Sequence, residues 1–304
     1  MAAIGLCLEL FEEGSHILCT EDLYGGTVRM FESIGEKRGV TFSYADTSDI
    51  ELVRKSIRKE TKALYIETPS NPTMKVTDFA AMRKIADEYG LLIIADNTFL
   101  TPYFQKPLTL GADLVVHSGT KFLGGHNDVL AGFVCIKGKG ISEKLRYTYK
   151  TVGCCLPPFD SFLVLRGIKT LSVRLERQQE NAKKIALWLK DRPEVKAVYY
   201  TGLPEHPGYE INQKQASGCG SMISFKVDSE KRARKLLESV KLISYAESLG
   251  GVESLITYPM LQTHGDVPVE TRERLGITED FLRMSVGIEN AEDLIADLEQ
   301  ALAE

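Results

Sequence analysis

The run Asp113-Leu-Val-Val-His-Ser-Gly-Thr-Lys121 ends a strand-like apolar stretch on two hydroxyls and an amine, so Ser118, Thr120 and Lys121 are delivered to one point. An amine that condenses with an aldehyde needs such a setting. About 25 residues upstream, a second apolar run, Leu91-Leu-Ile-Ile-Ala95, ends in Asp96-Asn97-Thr98 and puts an acid at another strand tip. A lysine to hold an aldehyde, a carboxylate to keep a pyridine nitrogen protonated and hydroxyls to grip a phosphate are what pyridoxal phosphate (PLP) asks of a protein. Each pKa unit by which a buried Asp96 raises the ring nitrogen corresponds to about 1.4 kcal/mol. Taken singly, a lysine after a strand is as often a solvated charge, and an Asp at a strand end as often a cap. Their joint occurrence points to a PLP site.

Further segments offer complementary chemistry. Asp22-Leu-Tyr24-Gly25-Gly26-Thr27 sets an aromatic ring beside two glycines, which suits close stacking on a flat heterocycle, although alone it reads more readily as a turn with a core tyrosine. Glu67-Thr-Pro-Ser-Asn71-Pro72-Thr73 puts an amide on a proline-stiffened loop within reach of a phenolic oxygen, although Asn-Pro is also a common turn. Ala246-Glu247-Ser248-Leu-Gly-Gly supplies donors in a glycine-rich bend. Arg283 interrupts an apolar strand, and its planar fork fits either a substrate carboxylate or an internal acid.

These groups need a frame to hold them. Runs at His16 to Thr20, Ala63 to Glu67, Leu91 to Ala95, Leu114 to His117 and Gly132 to Ile136 read as strands alternating with helical patterns, the grammar of a mainly parallel sheet sandwiched by helices. Thr77 is the expected cap of a helix carrying Phe79, Met82, Ile85, Ala86 and Tyr89 on one face and ending at Gly90. Asn71, Asp96 and Ser118 to Lys121 then fall at the carboxyl ends of strands, where such sheets gather ligands. Beyond residue 165, Ile168, Leu171, Leu175, Ala182, Ile185 and Leu189 mark one face of a long helix ending near Arg192-Pro193. Ser221 to Val227, Leu242 to Ala246 and Leu282 to Val286 read as strands of a smaller sheet, and Asn290 as the cap of a final helix. The expected architecture is α/β, with a large domain over residues 1–167 and a smaller α/β domain over 168–304.

Composition narrows the partners. With 304 residues, 37 Lys plus Arg, 42 Asp plus Glu and a net charge of −5, the chain has core enough for two domains and no polybasic stretch for nucleic acid or anionic membrane. No run approaches the roughly 20 apolar residues of a membrane span. Cys7, Cys19, Cys135, Cys154, Cys155 and Cys219 form neither a C-x-x-C pair nor a disulfide framework, so ordinary thiols in a reducing cytoplasm are expected. The 5 histidines show no ligand spacing, so no metal is expected. A nicotinamide-dependent oxidoreductase fits poorly, because no G-x-G-x-x-G follows an early strand.

In their order, these segments resemble the Cys/Met-metabolism PLP enzymes, the group of cystathionine γ-synthase, the cystathionine γ- and β-lyases, methionine γ-lyase and the homoserine-ester sulfhydrylases; the resemblance runs from Met1 to the C-terminus. It implies the PLP-dependent transferase fold type I, with Lys121 as covalent anchor and proton shuttle, Asp96 on the pyridine nitrogen and Tyr24 stacked on the ring, where it also serves in catalysis. It further implies Asn71 near the ring oxygen, Ser118, Thr120 and the Met1 backbone on the phosphate, and Ser248 with Arg283 on the substrate carboxylate. The substrates implied are small amino acids (an O-acylhomoserine, cysteine, cystathionine), and the implied assembly is a homodimer or homotetramer with sites at the dimer interface. Gly26 stands where methionine γ-lyases carry cysteine. Segments 124–132 and 255–264 look most like synthases that join an acylated homoserine to cysteine, and Glu247, which recurs in synthases and γ-lyases, is implied to receive the cysteine amino group. Cystathionine γ-synthesis is therefore expected first, a γ- or β-lyase second. The family places a phosphate-loop glycine and a leader ahead of the Met1-Ala-Ala segment, so a truncated form with weakened cofactor affinity is expected, or an inactive paralogue acting only as a binding partner.

Overall fold

The computed structural model describes residues 1–265 and 267–303. Its larger sheet contains β1 (His16–Thr20), β2 (Thr41–Ala45), β3 (Thr61–Glu67), β4 (Leu92–Asp96), β5 (Leu114–Ser118) and β6 (Gly132–Ile136), in the order β2-β1-β3-β4-β5-β6. β1 to β5 pair in parallel and β6 closes the sheet antiparallel to β5. Strands covered on both faces read as continuous apolar runs, which is why β1, β3, β4 and β5 stand out in the sequence. β2 does not: Thr41 is exposed and Phe42 to Tyr44 are only half-buried.

Alternate residues along the strands enter two cores. Ile17, Cys19, Tyr65, Ile94 and Val116 pack with Ile4, Cys7 and Leu8 of helix Ala2–Leu8. Leu18, Leu64, Ile66, Ile93 and Val115 pack on the other face with Phe79, Met82 and Ile85 of helix Phe79–Tyr89. That helix is capped by Asp78, not Thr77: the Asp78 carboxylate accepts from the N–H groups of Ala80 (2.8 Å) and Ala81 (3.1 Å), while the Thr77 hydroxyl is paired with Thr47 at 2.6 Å. Gly90 ends it in the left-handed conformation, as expected, but Tyr89 lies outside the core, 46% exposed.

Helix Leu171–Lys190 buries Leu171, Leu175, Ala182, Ile185 and Leu189; Ile168 belongs instead to the separate helix Pro158–Ile168 and is exposed. The second sheet, β7 (Val195–Tyr199), β8 (Met222–Val227), β9 (Ser244–Tyr245), β10 (Leu255–Thr257) and β11 (Phe281–Ser285), has the order β7-β8-β11-β10-β9. Helix Ala291–Ala303, whose Asn290 side chain accepts from Glu292 N–H at 2.8 Å, covers this sheet with Leu294, Leu298 and Leu302. A smaller cluster, Phe99, Leu100, Phe122, Leu123, Leu175, Met222 and Leu249, draws on both halves of the chain and sets the second sheet over the carboxyl ends of β3 to β5. Among the described residues no helix is long and apolar enough to cross a membrane.

Candidate active site

After β5 the chain turns tightly through Gly119–Leu123, and the helical path breaks at Lys121 (φ −91°, ψ −129°). The bend of residues 246–251 lies directly on this turn: a Cβ on Gly250 would stand 2.6 Å from Phe122 N, and φ there is +81°, so only glycine fits on both counts. Lys121 Nζ donates to Ser248 Oγ at 3.1 Å. Burial and then the nearby Arg283 charge lower the amine from the 10.5 of a free lysine to about 8, with Glu247 pulling the other way. At pH 7 the neutral, nucleophilic fraction is then about 300-fold larger than for a free lysine. Covalent capture of an aldehyde by this amine should accelerate about tenfold per pH unit below 8 and level off above it. Stopped-flow absorbance with added pyridoxal phosphate checks this, and a rate still climbing towards pH 10 would contradict it.

Asp96, at the tip of β4, is buried. Its Oδ1 accepts from Thr98 N–H (3.0 Å) and the Thr98 hydroxyl (2.6 Å), and that hydroxyl accepts from Ser118 N–H at 2.9 Å. Thr98 therefore ties the tips of β4 and β5 together. Burial raises the carboxyl pKa, partly offset by the Thr98 bonds. Among the described residues no hydrogen bond reaches Asp96 Oδ2, Ser118 Oγ or Asn71 Nδ2.

Arg283 on β11 is 1% exposed. Nη1 donates to Asn71 Oδ1 at 2.7 Å; Nη2 donates to Glu247 O at 3.0 Å and Thr257 Oγ1 at 3.1 Å; buried Nε has no partner among the described residues. A guanidinium only donates, so the Asn71 atom facing it is the carbonyl oxygen and the amide nitrogen is left for another acceptor. Among the described residues Arg283 makes no ion pair, so the internal-acid alternative is not realised there. Burial, opposed by Glu247 and Glu67, brings its pKa down to about 10.

The Asn71 loop is fixed by Asp22, whose Oδ2 accepts from Ser70 Oγ (2.6 Å), Thr73 N–H (3.0 Å) and the Thr73 hydroxyl. Two residues on, Tyr24 N–H donates to Glu67 Oε2 at 2.9 Å, and the Tyr24 ring folds back over Gly26, where a Cβ would collide with it. Gly25 is as constrained, since its Cβ would stand 2.6 Å from Thr263 O.

A cavity of about 200 Å³ is lined by Tyr24, Asn71, Lys121, Glu247, Ser248, Leu249, Thr263 and Arg283. Most of the expected site residues thus meet there, with Asp96 and Ser118 at the neighbouring strand tips. Thr120 and Met1 are not among its lining residues: the Thr120 hydroxyl is engaged with Ala131 N–H (3.1 Å), and Met1 is half-exposed at the start of its helix. Thr98, Thr263 and Glu67 were not anticipated as site residues; Thr98 stands in the same Asp96-Asn97-Thr98 tip, so its proximity was readable but its bridging bond was not. A larger groove of about 870 Å³ lies between helix Leu171–Lys190 and residues 200–219, but its charged groups are all on the exposed flank, so size does not locate the chemistry. Pyridoxal phosphate requires a buried amine of lowered pKa, a buried carboxylate with an open oxygen, and open donors for its ring oxygen and phosphate. Lys121, Asp96, Asn71 and Ser118 fit all of these.

Comparison with known proteins agrees with this chemistry. The sequence model of the family described as Cys/Met metabolism PLP-dependent enzyme matches residues 1–303. Cystathionine gamma-lyase of Bacillus subtilis is 50% identical over 302 residues, 99% of this chain and 80% of that protein. Cystathionine beta-lyase of Coxiella burnetii is 46% identical over 305 residues, 99% of this chain and 79% of the relative. The crystal structure of cystathionine gamma-lyase from Lactobacillus plantarum complexed with L-serine superimposes with a TM-score of 0.97 at 44% identity, covering 99% of this chain and 79% of that one.

Proposed function

The chain belongs to the Cys/Met-metabolism PLP-dependent enzymes, and on that premise we propose that it cleaves the C–S bond of cystathionine on the γ side, using the site built on Lys121. The observation that carries this is the meeting of Lys121, Asn71, Glu247 and Arg283 in one cavity beside Asp96. The 50% identity to a protein named for γ-cleavage moves this reading ahead of γ-synthesis, which the sequence segments favoured.

When bound, pyridoxal phosphate supplies an aldehyde that condenses with amines and a ring that withdraws electrons from the substrate's α-carbon. In this proposal Asp96 would hold the ring nitrogen through its open oxygen, Asn71 Nδ2 would donate to the ring oxygen, and Tyr24 would pack on the ring. Ser118, whose hydroxyl is open, would hold the phosphate; Thr120 and the Met1 backbone lie outside the cavity lining, and Thr120 would reach it only if its hydroxyl left Ala131. Arg283, with Ser248, holds the substrate carboxylate and so orients the bond to be broken. Lys121, whose amine is lowered to about 8, would take the α-proton and then a proton from the β-carbon. Glu247 at the cavity wall faces the distal amino group of the substrate. We divide the chain into residues 1–167 for the cofactor and 168–304 for the substrate carboxylate.

Cystathionine supplied to the cofactor-loaded protein should yield cysteine, 2-oxobutyrate and ammonia, water being consumed. Pyruvate with homocysteine would replace γ- by β-cleavage. Cystathionine made from an O-acylhomoserine and cysteine, with no cleavage, would favour the synthetic reading that Glu247 supports.

The homo-oligomer expected from the sequence is proposed to form through helix Pro158–Ile168, whose Phe159, Phe162 and Leu165 are 68%, 56% and 64% exposed. Such a contiguous apolar face suits a second copy of the chain. Phe162→Glu should shift the protein from dimer to monomer in light scattering at micromolar concentration; an unchanged mass would reject this face.

A further inference from the structure

Glu67 has no part in the chemistry above, yet it is buried at the tip of β3 in direct register with Asp96 on β4. Paired residues on neighbouring parallel strands point to the same face with backbones about 4.8 Å apart. Two ionised carboxylates so placed and so buried repel each other strongly, and such pairs titrate as a unit. The hydrogen bonds distinguish the two members. Asp96 Oδ1 accepts from both donors of Thr98, which stabilises its ionised form. Among the described residues Glu67 accepts only one, the backbone N–H of Tyr24 at 2.9 Å.

We propose that Glu67 and Asp96 form a carboxyl pair that holds one proton, that Glu67 carries it, and that neutral Glu67 thereby leaves the single negative charge on Asp96 while anchoring Tyr24. The proposal rests on Asp96 being the partner of the cofactor's ring nitrogen.

The other charges facing the pair are consistent with this assignment. Burial, then Asp96, raises Glu67 well above the usual carboxyl range, and Asp22 adds to this. The Tyr24 N–H and Arg283 oppose it. The phenol of Tyr65 and the thiol of Cys7, which sense the charge of Asp96, are both raised, first by burial, and so stay neutral. Oε2 serves as the acceptor for Tyr24 and Oε1, which takes no hydrogen bond among the described residues, carries the proton. Glu67 is in this sense a positioning residue: it places the Tyr24 segment and sets the charge of Asp96.

The test is infrared spectroscopy of the cofactor-loaded protein at neutral pH, where a neutral carboxyl stretch separates from the ionised carboxylates. A neutral band present in the unmodified protein and absent from Glu67→Gln supports the proposal; a band that survives the substitution overturns it. Cofactor affinity gives an independent readout. Glu67→Gln, which keeps a neutral acceptor for Tyr24 N–H, should bind within about threefold of the unmodified protein, whereas Glu67→Leu should bind at least about tenfold more weakly, a loss of that part-buried hydrogen bond. Equal losses in both variants would overturn the anchoring role. Asp96→Asn separates the two layers: unchanged cofactor affinity and absorbance there would remove the premise about Asp96, while weakened binding there with a persistent band in Glu67→Gln would remove the pair alone.

Discussion

Replacing Lys121 with alanine should lower turnover by roughly 10⁴-fold, the upper range for loss of a positioned acid–base group, and should abolish any adduct fixed by borohydride. The fold should survive. The amine makes one hydrogen bond, to Ser248 Oγ at 3.1 Å, and its charged form is disfavoured by burial and by Arg283, so removing it relieves as much as it costs. Melting temperature should therefore stay within a few degrees while activity disappears. A variant that kept even about a tenth of the turnover would show that the proton moves through another group. Glu247 is the other charged side chain on the cavity wall able to accept one.

Arg283→Lys should lower kcat/KM by roughly 10² to 10³, mostly through KM. The arginine fork donates to Asn71, Glu247 O and Thr257 from two nitrogens, and a lysine tip cannot reproduce that plane. Losing charge-assisted hydrogen bonds of about 1.5–3 kcal/mol each corresponds to one to two powers of ten apiece. The absorbance of bound cofactor should persist, because Asp96 and Lys121 are untouched. A variant with normal KM and lost cofactor affinity would show instead that Arg283 serves the cofactor through Asn71. Arg283→Leu makes a harsher change: the buried Asn71 and Thr257 oxygens and the part-buried carbonyls of Glu247 and Ser248 lose their donor, so a stability loss of about 3 kcal/mol should accompany the kinetic one.

The residues of the central chemistry were legible because each stands at the end of an apolar run. Lys121, Asp96 and Asn71 were found where β5, β4 and β3 stop, and a parallel sheet brings strand ends together. The second sheet was harder to read. β10 is 3 residues long, and β7 has an exposed Lys196 and half-buried neighbours, so neither produced a periodic signal. Ile168 was read into the following helix because apolar spacing alone carries across a break at Thr170. Thr77 and Asp78 are both good caps, and the choice fell to Asp78 because Thr47 and Thr68 already hold Thr77. Glu67 shows a more general limit. An acid at a strand end, taken singly, gives no sign of its partner, and only the β3–β4 register and the Tyr24 N–H contact reveal Glu67 as a buried neighbour of Asp96. The same holds for Arg283, whose neighbours in sequence leave an internal acid and an external one equally open, and only its surroundings reveal that it makes no ion pair among the described residues.

The central claim is that one amine carries the cofactor. Borohydride reduction of the cofactor-loaded protein, followed by proteolysis and peptide mass spectrometry, should find the reduced pyridoxyl group on the peptide containing Lys121, in near-stoichiometric amount. A pyridoxyl group spread over surface lysines, or concentrated on any lysine other than Lys121, would contradict the account.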